Sequence, residues 1–339
     1  MSMRIGIRAW IDFAFRKIFG KPGNEICLIS LLNAVLRLPH LVVSVEYLNP
    51  FGIKDFETDK LVCVDVKATD QLGRVFIVEI QIVVQSSFAK RAVFYACEAY
   101  ADQLRAGQGY SDLKATYSIC LLMRNLWDDN HLHHQFRLVD RESGRVLEES
   151  LEIHTVELAK YNGEASEVRS ASVLQQWAYW IKNSSEHTVE ELRELLPGLE
   201  FLRATGELKA IREITEEKQM YDAREKASLD IQSNLIDARH EGRQEGIEIG
   251  EQRGKLKGSI QIYEGLLGDA VTPDSDLSNL SIEALGAMVA QLQKQLRDRT
   301  SEYSLRPISP GHSPFMQLFR GRPVRAHRSV GNLGHCSGR

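Results

Sequence analysis

The chain has 339 residues, of which 43% are hydrophobic and 26% charged, so it can bury a sizeable core as an ordinary soluble protein. No apolar run approaches the ~18–20 residues of a membrane span, and the amino terminus lacks the pattern of a secretory signal. The formal net charge of −4 argues against a histone-like or polybasic binder.

The first 124 residues predict a compact α/β domain. Two helices come first, followed by β-branched strands, a hairpin, an Ala-rich helix and one more buried strand. The predicted elements are helices near 11–19 and 25–38, strands at 41–45, 61–68 and 75–84, a helix over 87–105 and a strand over 115–123.

The rest of the chain predicts a second hairpin, then helices, then a tail. The hairpin strands are 135–139 and 146–158, and the helical pattern runs from about Ala171 to Leu296 with a break at Pro197-Gly198. Residues 301–339 are rich in Arg, Pro and Gly without periodicity, which predicts disorder. We therefore expect a core at 1–160, an acidic helical region at 161–300 and a disordered tail at 301–339.

Five glycines recur at every fourth position within the helical region, from Gly242 to Gly258. An interior glycine costs a helix about 1 kcal/mol relative to alanine. The stripe is compatible with a long, weak, solvated helix, and also with a seam through which copies of the chain pack closely to form a homo-oligomer. Charged residues between the glycines exclude a membrane helix.

The five cysteines are scattered, odd in number and never arranged as a CxxC pair. This pattern is typical of reduced, buried thiols, so we expect a cytoplasmic protein without a disulfide framework.

The first hairpin carries two acids in apolar strand sequence, Asp65 and Glu79. If its strands pair symmetrically about Leu72, the indices of facing residues sum to 144, and Asp65 faces Glu79. Directly opposed carboxylates repel each other, and a divalent cation between them reverses that interaction. Lys67 and Gln81 fall on the same face by the two-residue strand period. The alternative is an ordinary cross-strand pair of Lys67 with Glu79.

The order D-x13-E-x-Q on a hairpin that follows helices resembles the PD-(D/E)XK nuclease superfamily, in which the last position is usually Lys. Several stretches together resemble, more narrowly, the recombination-promoting nuclease and putative transposase (Rpn-type) family. They are DFAFRKIFG at 12–20, LLNAVL at 31–36, VDVKA at 64–68, VEIQ at 78–81 and KRAVFY at 90–95. Gln103-Leu104, Gly109-Tyr110, Leu113 and the glycine repeat fit the same family. The resemblance covers roughly residues 8 to 290.

This resemblance implies a restriction-endonuclease-like α/β core, a mixed sheet flanked by helices, followed by an α-helical region. It implies a metal-dependent DNA endonuclease associated with recombination or transposition. Asp65, Glu79 and the backbone carbonyl of Ile80 would hold Mg²⁺, with Mn²⁺ as a substitute. Gln81 takes the lysine position and is neutral, so Lys67 would partly supply the missing charge.

Weaker candidates surround this constellation. Arg91 and Tyr95 fall on one polar helix face and are candidate DNA contacts, although Arg91 could equally belong to a structural pair with Glu98. Lys17 is a candidate phosphate ligand, although an ordinary surface lysine is the alternative that the sequence favours. Asp12 or Glu25 could add a helix-borne acid to the metal site, or simply begin a helix.

A histidine cluster follows Asp128 and Asp129 in a polar loop. His131, His133 and His134 lack a well-spaced fourth metal ligand in the sequence, which disfavours a metal site there.

Charge is distributed unevenly along the chain. Residues 1–124 carry 15 Lys/Arg and 12 Asp/Glu (+3), residues 125–300 carry −12, and residues 301–339 carry +5. Residues 1–124 are basic overall although they include Asp65 and Glu79, which suits a surface that approaches DNA phosphates. The rival functions are a catalytically lapsed nuclease-fold protein that acts in interaction or oligomerisation, and a hydrolase that uses the same acids on another substrate.

Overall fold

The computed structural model describes residues 3–52, 65–83 and 86–304. Its strands are β1 (Val45–Tyr47), β2 (Val66–Asp70), β3 (Val75–Gln81), β4 (Thr116–Leu122), β5 (His133–Phe136) and β6 (Leu151–Glu157). Its helices are α1 (Asp12–Gly20), α2 (Glu25–Leu36), α3 (Phe88–Ala101), α4 (Ala165–Val168), α5 (Val173–Asn183), α6 (Val189–Leu195), α7 (Leu199–Glu213), α8 (Thr215–Leu267), α9 (Asp274–Leu277) and α10 (Ile282–Ser304). The chain divides into two compact units, with the boundary between Arg239 and His240.

Within the described residues, the first unit holds one mixed sheet with the strand order β1-β2-β3-β4-β6-β5. The pairs β1-β2, β2-β3 and β5-β6 are antiparallel, whereas β4 runs parallel to both β3 and β6. The predicted second hairpin therefore extends the same sheet. The first strand is shorter than predicted, because residues 41–44 are not in a strand and only 45–47 pair with β2.

The hairpin β2-β3 has the register that its sequence predicts. Facing pairs run from Thr69 opposite Val75 to Val66 opposite Val78, so the paired indices sum to 144. The turn is closed by the Asp70 carboxylate, which accepts hydrogen bonds from the backbone N–H groups of Leu72 and Arg74. Gly73 has a φ of +75°, a conformation that glycine adopts without steric cost.

The two faces of the sheet are covered by different helices. Alternate side chains such as Val66, Phe76 and Val78 join the main core, together with α1, α2, α5 and α7. The opposite face of β4 packs Cys120 and Leu122 against Phe88 of α3. The result is a helix–sheet–helix sandwich, the mixed α/β architecture that the sequence analysis predicts.

Helices α5 and α7 complete the main core rather than forming a layer of their own. Trp177 and Trp180 are fully buried, with ring centroids 5.6 Å apart, and the Trp177 ring lies 4.4 Å from that of Phe201. The first compact unit therefore continues well beyond residue 160, the end of the predicted core.

The second unit contains the later part of α8, with α9 and α10. Its small core packs Ile260 of α8 against Leu277 and Leu285. The glycine stripe faces open space, because a Cβ added at any of its five positions would meet nothing within 4 Å among the described residues. No described helix combines the length and apolarity needed to cross a membrane. The predicted disordered tail lies outside the described residues after Ser304, as do strand residues 61–64.

Candidate active site

The hairpin brings Asp65 and Glu79 together. Asp65 directly precedes β2, and continuing the register by one residue places it opposite Glu79 of β3. The Asp65 side chain also crosses to β3, where its Oδ2 accepts a hydrogen bond of 2.8 Å from the backbone N–H of Ile80. The two carboxyl groups are thus held at the same end of adjacent strands.

Burial makes this pair of acids costly to ionise. Glu79 is only 4% exposed, and burial raises its pKa to about 7, with the neighbouring Asp65 adding to the rise and Arg91 opposing it. Burial likewise raises the pKa of Asp65 to about 7, partly offset by the hydrogen bond from Ile80 and reinforced by Asp12. Near neutral pH the site therefore favours an added positive charge.

One oxygen of this site lacks a partner. Oε1 of Glu79 is buried and has no hydrogen-bond partner among the described residues, while Oε2 accepts a bond of 3.4 Å from Nε2 of Gln81. An orphaned buried carboxylate oxygen beside a second carboxylate is an unfavourable arrangement unless a cation joins it. The donor set, oxygens of two neighbouring carboxylates, fits Mg²⁺.

Asp12 is the helix acid that lies near this pair. It opens α1, raises the pKa of Asp65, and lines a cleft of about 260 Å³ together with Ile80 and Gln81. Its Oδ2 lies 3.8 Å from Arg224 of α8. Glu25, the other candidate, instead accepts a hydrogen bond from the backbone of Gly23. The structure therefore favours Asp12 as the third acid.

A charged side chain stands behind the neutral Gln81. Nη2 of Arg91, one turn into α3, donates a hydrogen bond of 2.6 Å to Oε1 of Gln81. Since Gln81 in turn donates toward Glu79, the three side chains form a continuous chain of hydrogen bonds. The guanidinium therefore places a positive charge beside the neutral amide of Gln81.

A family model described as "PD-(D/E)XK nuclease family transposase" matches residues 9–238, about two thirds of the chain. The chain belongs to this family. No curated protein and no solved structure was found to match it. The region of this PD-(D/E)XK protein that the model matches contains the entire described sheet, and with it Asp65 and Glu79 of the hairpin.

Lys67 shares the sheet face of Glu79 in this PD-(D/E)XK protein, as its register opposite Ile77 requires. Its Nζ lies 3.6 Å from Oδ2 of Asp102, which follows α3. The cross-strand pair with Glu79 is therefore not the ion pair that Lys67 makes.

Lys17 does not have the surface position that a DNA contact needs, and that prediction is wrong. The side chain is 1% exposed and forms ion pairs with Glu207 of α7, at 3.4 Å, and with Glu217 of α8. Two carboxylates from distant helices neutralise it inside the fold, so it stabilises the packing of these helices around α1.

The remaining candidate, Tyr95, is half-buried on α3 one turn after Arg91, with its ring edge-on to Phe94 at 5.7 Å. Glu98 is exposed, and the hydrogen bond recorded for the Arg91 guanidinium goes to Gln81 instead. The sequence did not predict the hydrogen bond between Arg91 and Gln81 or the position of Arg224 beside Asp12. Both depend on elements that only the fold brings together.

Proposed function

We propose that this protein is a Mg²⁺-dependent DNA endonuclease that acts in recombination or transposition. The observation that carries the proposal is the buried Asp65–Glu79 pair, with an orphaned carboxylate oxygen, on the hairpin of a PD-(D/E)XK core. Mn²⁺, which also prefers oxygen ligands, is expected to substitute for Mg²⁺.

Asp65, Glu79 and the backbone carbonyl of Ile80 are the proposed ligands, with Asp12 as an additional acid. When bound, a divalent ion provides Lewis acidity toward the scissile phosphate and acidifies a water molecule. The protein holds the two carboxylates in place through the strand register and the Ile80 hydrogen bond. Their raised pKa values mean that ionisation accompanies occupation of the site.

The chain formed by Glu79, Gln81 and Arg91 orients the polar groups of the site. Gln81 uses its carbonyl oxygen to accept from Arg91, which leaves its amide N–H groups for Glu79 and for a water molecule. Arg91 supplies the positive charge that the neutral Gln81 cannot, and stabilises charge that develops on the phosphate. Lys67, paired with Asp102, is proposed as a secondary source of positive charge.

Arginines near the site are suited to hold the phosphate backbone. Arg224 and Arg91 line the cleft that contains Asp12 and Gln81, and Arg8 and Arg124 line the adjoining cleft. All four lie in the first compact unit. Side chains of this type position a nucleic acid through its phosphates without reading its sequence.

The surroundings are consistent with action on DNA in the cytoplasm. Cys27, Cys97 and Cys120 are free thiols, which suits a reducing compartment, although Cys97 is exposed rather than buried as predicted. Apart from Arg224, the acidic segment 125–300 suits assembly better than contact with DNA.

Conversion of supercoiled plasmid to nicked or linear product tests the proposal. We expect cleavage with Mg²⁺ or Mn²⁺, and none in EDTA. Cleavage that persists in EDTA, or equal inactivity with each metal, would exclude a metal-dependent endonuclease.

A further inference from the structure

A second cluster of side chains that could hold a metal ion lies in the loop between β4 and β5 and at the start of β5. Ligand atoms of Asp129, His131 and His134 all lie within 4.8 Å of one another. His133, which the sequence grouped with them, belongs elsewhere: its Nε2 lies 2.9 Å from Nδ1 of the buried His154. Successive side chains of a strand alternate, which explains why His133 and His134 separate.

His134 stands between two carboxylates. Its Nε2 lies 3.0 Å from Oδ2 of Asp129, and its Nδ1 lies 3.4 Å from Oε1 of Glu157. A neutral imidazole carries only one N–H, so in its neutral form, the form that binds a metal, one ring nitrogen faces a carboxylate with its lone pair. A cation on the Nε2 side removes this conflict, because the proton then stays on Nδ1 and points toward Glu157.

Glu157 supplies an independent observation. The side chain is completely buried at the end of β6, and its Oε2 accepts hydrogen bonds from the backbone of Leu126 and from Lys160. Its Oε1 and Nδ1 of His134 lie 3.4 Å apart, and both are buried without a hydrogen-bond partner among the described residues. A buried carboxylate behind a histidine is the arrangement that orients metal-ligating imidazoles in zinc proteins.

We propose that Asp129, His131 and His134 bind a Zn²⁺ ion, and that Glu157 orients His134 for this purpose. Two imidazoles and a carboxylate, with a fourth position open to water, are a donor set that zinc accepts. Lys160 lies 2.7 Å from Oδ1 of Asp129, which leaves Oδ2, the oxygen that faces His134, for the ion.

The proposed zinc site is separate from the Asp65–Glu79 site. Glu157 pairs with Leu122 of β4, and Leu122 pairs with Gln81 of β3. Two strand spacings, or about 10 Å, therefore separate Glu157 from Gln81. Bound zinc would fasten the loop after β4 to the edge of the sheet, and Trp127, whose ring centroid is 6.1 Å from that of His134, is a natural reporter of that event.

Zinc binding by the full-length protein tests this proposal. The protein is stripped with chelator, and Zn²⁺ is titrated calorimetrically into the Glu79→Gln variant, in which the other metal site is disabled. We expect one tight equivalent, accompanied by a change in tryptophan fluorescence. His131→Ala should weaken binding by more than roughly 100-fold, and Glu157→Gln by roughly 10–100-fold.

His131 is the decisive position, because its side chain is 79% exposed and we expect its replacement to leave the fold intact. His134→Ala should have the same effect on zinc affinity. His240→Ala, at an exposed position of α8, is the matched control and should bind zinc normally. Absence of a tight equivalent in the Glu79→Gln protein, or unchanged affinity in His131→Ala, would overturn the proposal. Neither result depends on DNA cleavage.

Discussion

The guanidinium of Arg91 lies against the side-chain amide of Gln81, with Nη2 2.6 Å from Oε1. The two residues lie on different elements, α3 and β3, which pack together on the face of the sheet that carries Glu79. Neither side chain alone resembles the lysine usual in the superfamily. Together they provide an oriented amide and a fixed positive charge at that place.

Replacing Arg91 should therefore impair cleavage. We expect Arg91→Ala to lower the plasmid-nicking rate by about 10²-fold at saturating metal, because a preorganised donor near the reacting phosphate is lost. Lys90→Ala, which removes an exposed neighbouring cation of the same helix, is the control and should nick nearly as fast as wild type.

A double substitution distinguishes charge from packing at this place. Gln81→Lys alone brings two cations together and should reduce the rate, whereas Gln81→Lys combined with Arg91→Ala should exceed Arg91→Ala alone. If the double variant is no faster than Arg91→Ala, the positive charge of Arg91 is not what the site requires.

The stability of the metal-free protein should depend on pH through Glu79. Its pKa is raised to about 7, above the ~4.3 of an exposed Glu, so the folded state keeps a proton that the unfolded chain releases. The contribution of protonated Glu79 to the free energy of unfolding is fully present below about pH 4 and is lost as pH rises through 7. The side chain at this position in Glu79→Gln cannot ionise. At pH 8 in EDTA, we expect this variant to have a higher Tm than wild type, by about 2–4 °C for each kcal/mol gained in the free energy of unfolding.

Thermal melting at two pH values checks this prediction. The gain in Tm of Glu79→Gln over wild type must be larger at pH 8 than at pH 5. Glu46→Gln, at an exposed acid on β1, should show no such difference. An equal gain at both pH values would mean that Glu79 is not held protonated by burial.

Lys17 should matter for stability and not for DNA. Lys17→Met leaves Glu207 and Glu217 without their buried cation, and should lower the free energy of unfolding by about 3–5 kcal/mol in chemical denaturation. Lys21→Met, at a more exposed lysine that also contacts Glu207, should cost much less. Equal losses in the two variants would argue against a buried ion pair at Lys17.

The glycine stripe should govern the mass of the protein in solution. The stripe faces open space within the second unit, so packing among the described residues of that unit does not require glycine at these positions. If copies pack through it, replacing Gly246, Gly250 and Gly254 with Leu should shift the mass in light scattering toward the 38.4 kDa of one chain. The corresponding triple Ala variant should keep its mass, because alanine still allows close approach. An unchanged mass in the Leu variant would rule out this seam.

Local pattern was sufficient to predict the parts of the fold that depend on neighbours in the chain. The hairpin register followed from strand pairing that is symmetric about Leu72. The failures involve partners far apart in sequence. Lys17 looked like a surface cation because the glutamates that neutralise it lie about 200 residues later, and no local periodicity reveals them.

The same limit applies around the candidate site. The position of Asp65 opposite Glu79 follows from a symmetric hairpin. The hydrogen bond from Arg91 to Gln81 depends on how α3 packs on the sheet, which the sequence does not reveal. Glu157 gave no signal in the sequence, because a single acid at the end of a strand is unremarkable until His134 is placed beside it.

Plasmid cleavage by the two acid variants tests the central claim most directly. Wild type, Asp65→Ala, Glu79→Ala and the control Glu46→Ala are incubated with supercoiled DNA and Mg²⁺, after melting in EDTA has established that each is folded. We predict cleavage by wild type and Glu46→Ala, and a loss of about 10³-fold or more in both site variants. Equal cleavage by all four proteins, or by none of them, would contradict a nuclease site built on Asp65 and Glu79.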